Sequence, residues 1–281
     1  MNHHIVESLL NGDLNIEFSA HCVHVVFVQN NKLTLYSNCM IIQFIPRKYG
    51  KTSNYFHFWV DFYLPYLVNV IKYPKCQVFG ISDGFWPKID PDVKFTTCKD
   101  FIVIKGYNPL YFKWNDDILQ AIQSYKKKCI SRNTTGPLKQ IFIERLSDKR
   151  HIKNSNAVYN MLQSIFPKMI KINLEIMSFE DQLDLFSNAS VVIGQHGAGL
   201  TNLMWAPKHT FVIEIDKNLG RLHFSNMCSY LGQKHFKFGA VKSQMITIAQ
   251  KRKAECFNVD LLEFKKFITT KLNEHYLSPT I

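Results

Sequence analysis

Short apolar runs alternate with amphipathic stretches along the second half of the chain. Four runs have the length of buried strands: residues 140–144, 169–174, 190–193 and 210–215. Residues 154–166 carry apolar side chains at helical spacing, and Ser178 with Asp181 three positions later forms a capping box before another helix. Residues 199–205 predict a short helix that ends before Pro207. This alternation predicts parallel strands joined by right-handed crossovers, and therefore a Rossmann-like, doubly wound α/β sheet.

The first half of the chain is less regular. Its apolar runs predict four strands, at 24–28, 40–44, 76–81 and 101–104. Helices are predicted at 54–70 and 116–128, so an α/β domain fits, but no strand order follows from the pattern. The polar stretch that ends in Gly136-Pro137 indicates the domain boundary. At the other end, residues 258–275 predict an amphipathic helix.

Charge and cysteine content narrow the classes of partner and compartment. The formal net charge of +12 favours an anionic partner, which can be a nucleic acid, a membrane surface or a phosphorylated small molecule. Lysines that only keep the protein in solution explain the charge equally well. Seven cysteines without metal-ligand spacing indicate free thiols in a reducing compartment. The sequence shows no secretory signal and no run of about 18 apolar residues, so we expect no membrane span and a cytoplasmic location.

The segment 194–202 (GQHGAGLTN) follows a predicted strand and begins a predicted helix. Small residues there let a ligand approach the backbone, and a helix N-terminus offers free N–H groups and positive potential to a phosphate. We predict that five residues of this segment bind the anion: His196, Gly197, Ala198, Gly199 and Asn202. A tight turn with close helix–sheet packing is the alternative. The glycines follow the third strand in a GxxGxG pattern, which disfavours a dinucleotide fingerprint.

Three further side chains are predicted at the same edge of the sheet. Glu214 ends the strand after the glycine-rich segment and can accept hydrogen bonds from both hydroxyls of a ribose; a surface glutamate is the alternative. Arg145 and Arg150 follow the first strand of this half and can clamp a pyrophosphate; a solvated basic loop is the alternative.

The first half offers candidates for proton transfer. His57 and Asp61 are four residues apart and share one helical face, where an Asp-oriented His can take a proton; a core helix with one satisfied histidine is the alternative. Asp83 follows a predicted strand and is a second candidate base, although its sequence also fits an Asp-Gly turn. The pair Asp90 and Asp92 matches a DxD metal–nucleotide signature, but the intervening proline favours a turn, so we expect no metal site.

These residues resemble glycosyltransferase family 61, which includes plant β-xylosyltransferases and arabinosyltransferases and O-linked N-acetylglucosaminyltransferases. The similarity is carried by residues 177–202, which contain HGAGLTN, and by Val212-Ile213-Glu214. Two other segments are similar to motifs of that family: His57 to Asp61 with Pro65, and Arg145, Arg150 and Asn154.

The resemblance implies a GT-B-like fold, with two Rossmann-like domains facing a cleft. We therefore expect an acceptor-side α/β domain at 1–135, a nucleotide-sugar-binding domain at 136–255, and a helix within 256–281 that crosses back to the first domain. It also implies an inverting, metal-independent transfer from a UDP-sugar, with xylose favoured, to an acceptor glycan. A small form of this kind resembles glycosyltransferases of large DNA viruses, which would place it in a host cytoplasm.

The resemblance also implies a single displacement with the base on the first domain. We favour Asp83 as that base, with His57 and Asp61 shaping the site or replacing it. No cofactor and no nucleic acid partner are expected. Two other functions are open at this point: a basic nucleic-acid-binding protein, which the +12 charge would suit, and a sugar-binding protein without catalysis.

Overall fold

A computed structural model of the chain describes most of its second half and parts of its first. The described residues are 23–29, 32–41, 54–72, 78–79, 84–90, 92–93, 101–102, 114–129, 137–145, 151–217, 219–239, 241–248 and 252–277. The chain divides into two compact units between Ala121 and Ile122. This division falls inside the helix Asp116–Cys129, upstream of the Gly136-Pro137 boundary that the composition predicts.

The first unit contains a small mixed sheet. Its described strands are β1 (Val23–Gln29), β2 (Lys32–Ile41), β3 (Val78–Phe79) and β4 (Phe101–Ile102), in the order β3-β2-β1-β4. β1 is antiparallel to β2 and β4, and β2 is parallel to β3. Two residues separate β1 from β2, and so short a link can join only antiparallel strands. The described part of this sheet therefore differs from the parallel sheet that a second Rossmann-like domain would have.

The helices of the first unit begin with an aromatic segment. Helix α1 (Tyr55–His57) continues through π-helical turns at Phe58–Tyr63 into α2 (Leu64–Lys72). Phe58, Trp59 and Tyr63 are completely buried, so this segment contributes to the core of the unit. Two further helices of the chain follow: α3 (Trp86–Ile89) and α4 (Asp116–Cys129).

The second unit is a parallel sheet with helices between its strands. The elements are β5 (Lys139–Glu144), α5 (Ser155–Ile165), β6 (Met169–Asn173), α6 (Phe179–Ser187), β7 (Ala189–Gln195), a 3₁₀ helix (Ala198–Trp205), β8 (Phe211–Ile215), α7 (His223–Tyr230) and β9 (Lys234–Phe238). The strand order is β6-β5-β7-β8-β9 with every pair parallel. The predicted strands, helices and parallel sheet of this half are confirmed.

The start of α6 shows how the local sequence sets an element's boundary. The hydroxyl of Ser178 accepts a hydrogen bond from the Asp181 N–H at 3.0 Å, as the capping box predicts. Leu183 and Phe186 then lie on the buried side of the helix. A polar cap followed by apolar side chains at helical spacing therefore fixes where the helix begins and which face it buries.

The chain ends with a hairpin and a helix: β10 (Val241–Ile248), β11 (Arg252–Val259) and α8 (Leu261–Leu277). One face of the parallel sheet packs on α5 and α8, whose Phe264 and Ile268 are fully buried in that core. The sequence analysis expects this helix to pack on the first domain. The described contacts place its buried face in the core of the second unit, because Phe264 and Ile268 pack with Phe238 and other residues of the sheet.

The last strand is also tied to the segment after β5. The side-chain amide of Asn154 makes two hydrogen bonds with the backbone of Val259: its Nδ2 donates to the carbonyl at 2.8 Å, and its Oδ1 accepts from the N–H at 3.0 Å. Lys153 N–H donates to the Phe257 carbonyl at 2.8 Å. The two hydrogen bonds of Asn154 join residues that are 105 positions apart in sequence. Among the helices that the structure describes, none has the length and apolar character that a membrane span requires.

Candidate functional site

The strand order of the second unit has a switch point between β5 and β7. The chain leaves β5 toward β6 on one side, and later returns to place β7 on the other side of β5. In open parallel sheets of this kind, the crevice beyond the carboxyl ends of the two central strands is where ligands bind. Arg145 directly follows β5, and His196 directly follows β7. The predicted anion-binding residues therefore lie at the switch point.

Arg145 and Gly197 are in contact across this point. A Cβ atom added to Gly197 would stand 3.0 Å from Nη1 of Arg145, so a side chain at this position would press on the guanidinium. The side chain of Arg145 is also near Glu175, with 3.8 Å between Nε and Oε1. The predicted neighbourhood of Arg145 and the glycine-rich segment is thus present in the structure.

The backbone at the start of the 3₁₀ helix is suited to an anion. Within the described residues, no group accepts a hydrogen bond from the N–H of Gly197, Ala198 or Gly199, whereas Leu200 N–H already donates to the Gly197 carbonyl at 3.0 Å. Residues 196–199 are partly exposed, so these donors are within reach of a ligand. Free N–H groups at a helix start are favourable positions for phosphate.

The other two glycines of the segment serve packing. A Cβ atom at Gly194 would lie 3.1 Å from Cβ of Ile143, and one at Gly199 would lie 2.8 Å from Cδ1 of Leu174. Both therefore let neighbouring elements approach closely. Close packing therefore accounts for Gly194 and Gly199, whereas the position of Gly197 faces the Arg145 side chain.

Glu214 lies in the interior and holds His196. Its side chain is 1% exposed, and its Oε1 is 2.5 Å from Nδ1 of His196. The His196 ring contacts Phe224 edge-on, with 5.4 Å between ring centroids. Burying a carboxylate costs free energy unless hydrogen-bond donors surround it, and His196 is the first of these donors.

The second oxygen of Glu214 contacts another histidine. Oε2 lies 2.9 Å from Nε2 of His235, and Nδ1 of His235 lies 3.2 Å from the hydroxyl of Ser225. His235 is on β9, one strand beyond Glu214 in the sheet. Both carboxylate oxygens are therefore occupied by imidazole groups.

Two cations lie beside Glu214 and the neighbouring carboxylate of Asp216. The Nζ atom of Lys237 is 3.9 Å from Oε2 of Glu214 and 3.8 Å from Oδ2 of Asp216. Asp216 is 3% exposed, and its Oδ1 is 3.8 Å from Nη1 of Arg221. Lys237 also donates a hydrogen bond to the Arg221 carbonyl. Two buried carboxylates and two cations thus balance each other at the carboxyl ends of β8 and β9.

These contacts determine the ionisation of Glu214. Burial by itself raises the pKa of this carboxyl, but hydrogen bonds from His196 and His235 and the positive charge that these rings can carry lower it, and the net result is a pKa of about 2. Nearby Cys228 is affected in the opposite direction: burial, and then the negative charge of Glu214, raise the pKa of its thiol. Glu214 is therefore ionised, and Cys228 is an inert thiol.

Among the described residues, one group has the composition of a metal-ligand set. His196, Glu214 and Asp216 place three ligand atoms within 4.8 Å of one another. Lys237 and Arg221, however, already supply positive charge to both carboxylates, and His196 Nδ1 must carry a proton to donate to Glu214. A proton on the ligating nitrogen and an adjacent ammonium both oppose metal binding. The arrangement therefore fits an internally neutralised cluster better than a cation site.

Two predicted donor-binding residues occupy the interior. Glu214 has both oxygens engaged by histidines, which leaves a ribose little access to it. Asn202 is completely buried, and its Nδ2 donates to Gln182 Oε1 at 2.9 Å and to the Gly199 carbonyl at 3.3 Å. Both residues form hydrogen bonds with the glycine-rich segment: Glu214 with His196, and Asn202 with the Gly199 carbonyl.

The remaining predicted residues belong to parts of the chain that are described less fully. Arg150 and Asp83 lie outside the described residues, as does the side chain of Asp61. His57 is half-buried at the end of α1, and its backbone N–H donates to Oδ1 of Asn54 at 3.3 Å. Asp90 accepts a hydrogen bond from the Tyr63 hydroxyl at 2.7 Å.

The turn predicted at the DxD sequence is present. A hydrogen bond of 3.3 Å from the Val93 N–H to the Asp90 carbonyl closes it, and Asp92 is exposed. Since Asp90 is engaged by Tyr63, the two carboxylates of this sequence have different surroundings.

Sequence reasoning missed part of the cluster: His235, Lys237, Asp216, Arg221 and Ser225. A signal was available in Lys234–Phe238 (KHFKF), where polar and aromatic residues alternate with the period of a strand. Strand pairing places Lys237 opposite Glu214. The pairing is set by tertiary structure, which the local pattern does not contain.

Comparison with known proteins places these features in a context. A family model described as "Glycosyltransferase 61" matches residues 55–213, which is more than half of the chain. The EGF domain-specific O-linked N-acetylglucosamine transferase of Gallus gallus is 31% identical over 83 residues, which are 28% of this chain and 16% of that protein. The Beta-1,2-xylosyltransferase RCN11 of Oryza sativa subsp. japonica is 30% identical over 131 residues, 40% of this chain and 24% of that protein. The chain thus spans about a quarter or less of these curated relatives.

Proposed function

The chain belongs to the glycosyltransferase 61 family, and from this premise we propose that it transfers a sugar from a UDP-sugar to a hydroxyl group of an acceptor glycan. The similarity to a β-1,2-xylosyltransferase and to O-linked N-acetylglucosamine transferases supports a glycosyltransferase activity. Xylose is the proposed sugar because the xylosyltransferase similarity extends over 131 residues, against 83 for the other relative.

One observation carries this proposal: the contact between Arg145 and Gly197 at the switch point. A guanidinium presents paired N–H donors, and the backbone N–H groups of Gly197 to Gly199 add more donors beside it. Together they form a positive, donor-rich surface of the kind that a diphosphate requires. We propose that the diphosphate of the donor lies here, with Arg150 as a further contact.

The proposed reaction is a single displacement that inverts the anomeric carbon. The acceptor oxygen attacks this carbon on the face opposite the diphosphate and gives its proton to a base. As the new carbon–oxygen bond forms, the bond between the anomeric carbon and the diphosphate oxygen breaks, and UDP leaves with that electron pair. Arg145 and the backbone N–H groups stabilise the leaving charge, and such preorganised donors typically contribute about 3–4 kcal/mol each.

The base belongs to the first unit in this proposal. Asp83 is the favoured proton acceptor, and His57 with Asp61 forms the alternative pair. The two units would then face each other in a GT-B-like arrangement, with the donor on the second. No metal is required, because arginine, the 3₁₀ helix start and His196 supply the positive charge.

A two-stage experiment tests the function. Calorimetry of the full chain with UDP measures donor binding, and incubation with a panel of UDP-sugars and acceptor oligosaccharides, read by mass spectrometry, measures transfer. NMR of the glycoside product gives the anomeric configuration, which is inverted relative to the donor in our proposal.

The same experiment separates the proposal from its alternatives. UDP binding without hydrolysis or transfer on any donor would indicate a sugar-binding protein. Absence of UDP binding, together with oligonucleotide binding that weakens steeply with salt, would indicate a nucleic-acid-binding protein.

A further inference from the structure

One buried carboxylate holds two histidines, and the two have different surroundings. Oε1 of Glu214 contacts Nδ1 of His196 at 2.5 Å, and Oε2 contacts Nε2 of His235 at 2.9 Å. An ionised carboxylate only accepts hydrogen bonds. Because the pKa of Glu214 is low, both contacting nitrogens carry a proton, and Glu214 fixes the tautomer of both rings.

The second nitrogen of each ring distinguishes the two histidines. In His235, Nδ1 lies 3.2 Å from the Ser225 hydroxyl, which donates to it, and the side chain is 6% exposed. In His196, no described residue forms a hydrogen bond with Nε2, and the side chain is 15% exposed. His235 is thus satisfied on both sides within the protein, whereas His196 has one nitrogen for a ligand.

We infer that Glu214 is a positioning residue, which orients His196 so that its Nε2 contacts the diphosphate of the nucleotide-sugar donor. This inference rests on the proposed function. Glu214 contacts no substrate in this account and acts through His196, while His235 and Ser225 hold its second oxygen in place. It replaces the ribose contact that the sequence suggests for Glu214.

The place of His196 in the chain supports this role. The residue immediately precedes Gly197, which contacts Arg145, so the inferred contact would have the diphosphate bridge the Arg145 guanidinium and the imidazole. The backbone of His196 is fixed by its N–H, which donates to the Ile215 carbonyl at 2.9 Å, and the ring is fixed by Phe224. Main chain, ring and tautomer are each determined by a separate contact.

The chemistry of the contact follows from the donors and acceptors. A phosphate oxygen accepts, so Nε2 must carry a proton in the complex, and the ring is then an imidazolium between two anions, Glu214 and the diphosphate. Among the described residues, the other charged or titratable groups near this ring or its carboxylate are Asp216, Arg221, Cys228, His235 and Lys237, with Arg145 beside the adjoining Gly197. Lys237 lies within 4 Å of both carboxylates and Arg221 lies beside Asp216, so these two cations share the negative charge of the pair with the imidazolium.

Histidine tautomers are measurable by long-range ¹H–¹⁵N NMR on the full chain labelled at histidine nitrogens, with the two residues assigned from His196→Gln and His235→Gln. In the free protein we expect the proton of His196 on Nδ1 and that of His235 on Nε2. Saturation with UDP should move the Nε2 resonance of His196 to the protonated range and leave His235 nearly unchanged. An Nε2–H tautomer of free His196, or a UDP complex in which its Nε2 does not move, overturns the inference.

Substitution supplies a second readout. Glu214→Gln keeps the shape of the side chain but presents an amide N–H₂ to one of the histidines, so we expect UDP binding to weaken by about 10- to 100-fold, the range for a lost hydrogen bond to a charged group. Glu144→Gln is the matched control, because Glu144 is a half-buried carboxylate that accepts from Ser155 at 2.6 Å and Lys171 at 3.2 Å. The control should lose stability and keep its UDP affinity.

The outcomes separate this inference from the proposed function. UDP binding that moves Nε2 of His196, without transfer to any acceptor, leaves the inference standing and removes the proposed activity. Transfer activity with the same Kd and KM in Glu214→Gln as in the native chain, at a lower Tm, means that Glu214 is only structural and overturns the inference. A native chain that binds neither UDP nor inorganic pyrophosphate overturns the inferred contact together with the proposed donor.

Discussion

The guanidinium of Arg145, which follows β5, lies against Gly197, which follows β7: its Nη1 atom is 3.0 Å from the point that a Cβ atom on Gly197 would occupy. Two strands that are separated in sequence by a helix, a strand and another helix are brought together here by the sheet order. The contact is between the backbone of one segment and the flexible end of a side chain from the other. Changes at Gly197 should therefore affect the ligand more than the fold.

Replacing Gly197 by valine tests this contact. The added methyl groups displace the guanidinium and cover the N–H groups of the 3₁₀ helix start, so UDP binding should become undetectable by calorimetry while the circular dichroism spectrum is unchanged. Gly194→Ala is the control, because its Cβ would meet Ile143 in the core at 3.1 Å and should lower Tm while UDP still binds. Native UDP affinity in Gly197→Val would refute the placement of the diphosphate.

The pH dependence of stability should contain a contribution from Glu214. Burial alone would raise its pKa, but hydrogen bonds and charge from His196 and His235 lower it from 4.5 to about 2. Because its pKa is lower in the folded state, the ionised Glu214 contributes its full stabilisation above about pH 4.5. This contribution is lost as the pH falls from there through about 2. The shift corresponds to a contribution of Glu214 to the free energy of unfolding on the order of 3 kcal/mol.

Urea unfolding between pH 2 and pH 6 measures this contribution. The difference in free energy of unfolding between the native chain and Glu214→Gln should be largest at pH 6 and should shrink toward pH 2. A difference that stays constant over this range would show that the carboxylate charge has no part in stability.

Lys237 should be essential for stability because of the carboxylates beside it. Lys237→Met removes the ammonium that lies within 4 Å of both Glu214 and Asp216 and leaves buried negative charge, so the free energy of unfolding should fall by about 3–5 kcal/mol. Lys234→Met is a matched control on the same strand at an exposed position, and should change the free energy of unfolding by no more than about 0.5 kcal/mol. Equal effects of the two substitutions in chemical denaturation would contradict this account.

Transfer should not require a divalent cation. Positive charge at the proposed diphosphate site comes from Arg145 and the 3₁₀ helix start, and the buried carboxylates of the cluster are already neutralised by Lys237 and Arg221. Initial rates with and without EDTA should agree within error. Complete loss of activity in EDTA, restored by manganese, would instead direct attention to Asp90 and Asp92 and to a GT-A mechanism.

Three substitutions compare the candidate bases in one assay. A general base contributes about 10²- to 10⁴-fold to the rate, so Asp83→Asn should lower kcat by this order and leave UDP affinity nearly unchanged. His57→Ala and Asp61→Asn should have smaller effects. If Asp83→Asn retains kcat and either of the other two loses it, the base lies on the α1 segment and its π-helical continuation.

The parallel sheet could be predicted because each of its first four strands is a short apolar run between amphipathic helices. Strand β9 has the alternation of a strand, but Lys234, His235 and Lys237 give it the composition of a surface segment, so its place inside the sheet does not follow from its sequence. Its polar side chains become favourable only when the sheet pairs Lys237 with Glu214, and that partner is 23 positions earlier in the sequence. The glycine-rich segment could be predicted because its glycines, His196 and the flanking strand and helix are neighbours in sequence. The environment of β9 depends on residues that are distant in sequence.

The first unit also has features that its local sequence does not predict. The helix predicted at 54–70 is present, but its π-helical turns at Phe58–Tyr63 leave no separate mark in the sequence. The β1–β2 hairpin is not predicted, because the pattern places the second apolar run at 40–44, whereas β2 covers Lys32–Ile41. For Glu214, the sequence predicts a carboxylate at a strand end that accepts hydrogen bonds from a ribose. Its hydrogen-bond partners in the structure, His196 and His235, are distant in sequence, so the local pattern does not reveal them.

The two hydrogen bonds between Asn154 and Val259 have a consequence for how the protein is made. The segment that follows the arginine-bearing end of β5 is held by a strand that the ribosome synthesises 105 residues later, and the core behind it is closed by Phe264 and Ile268. During translation all five strands of the parallel sheet emerge before the residues that secure them. One face of the nascent sheet therefore stays uncovered until α8 leaves the exit tunnel. During this interval the exposed apolar surface is available for chaperone binding.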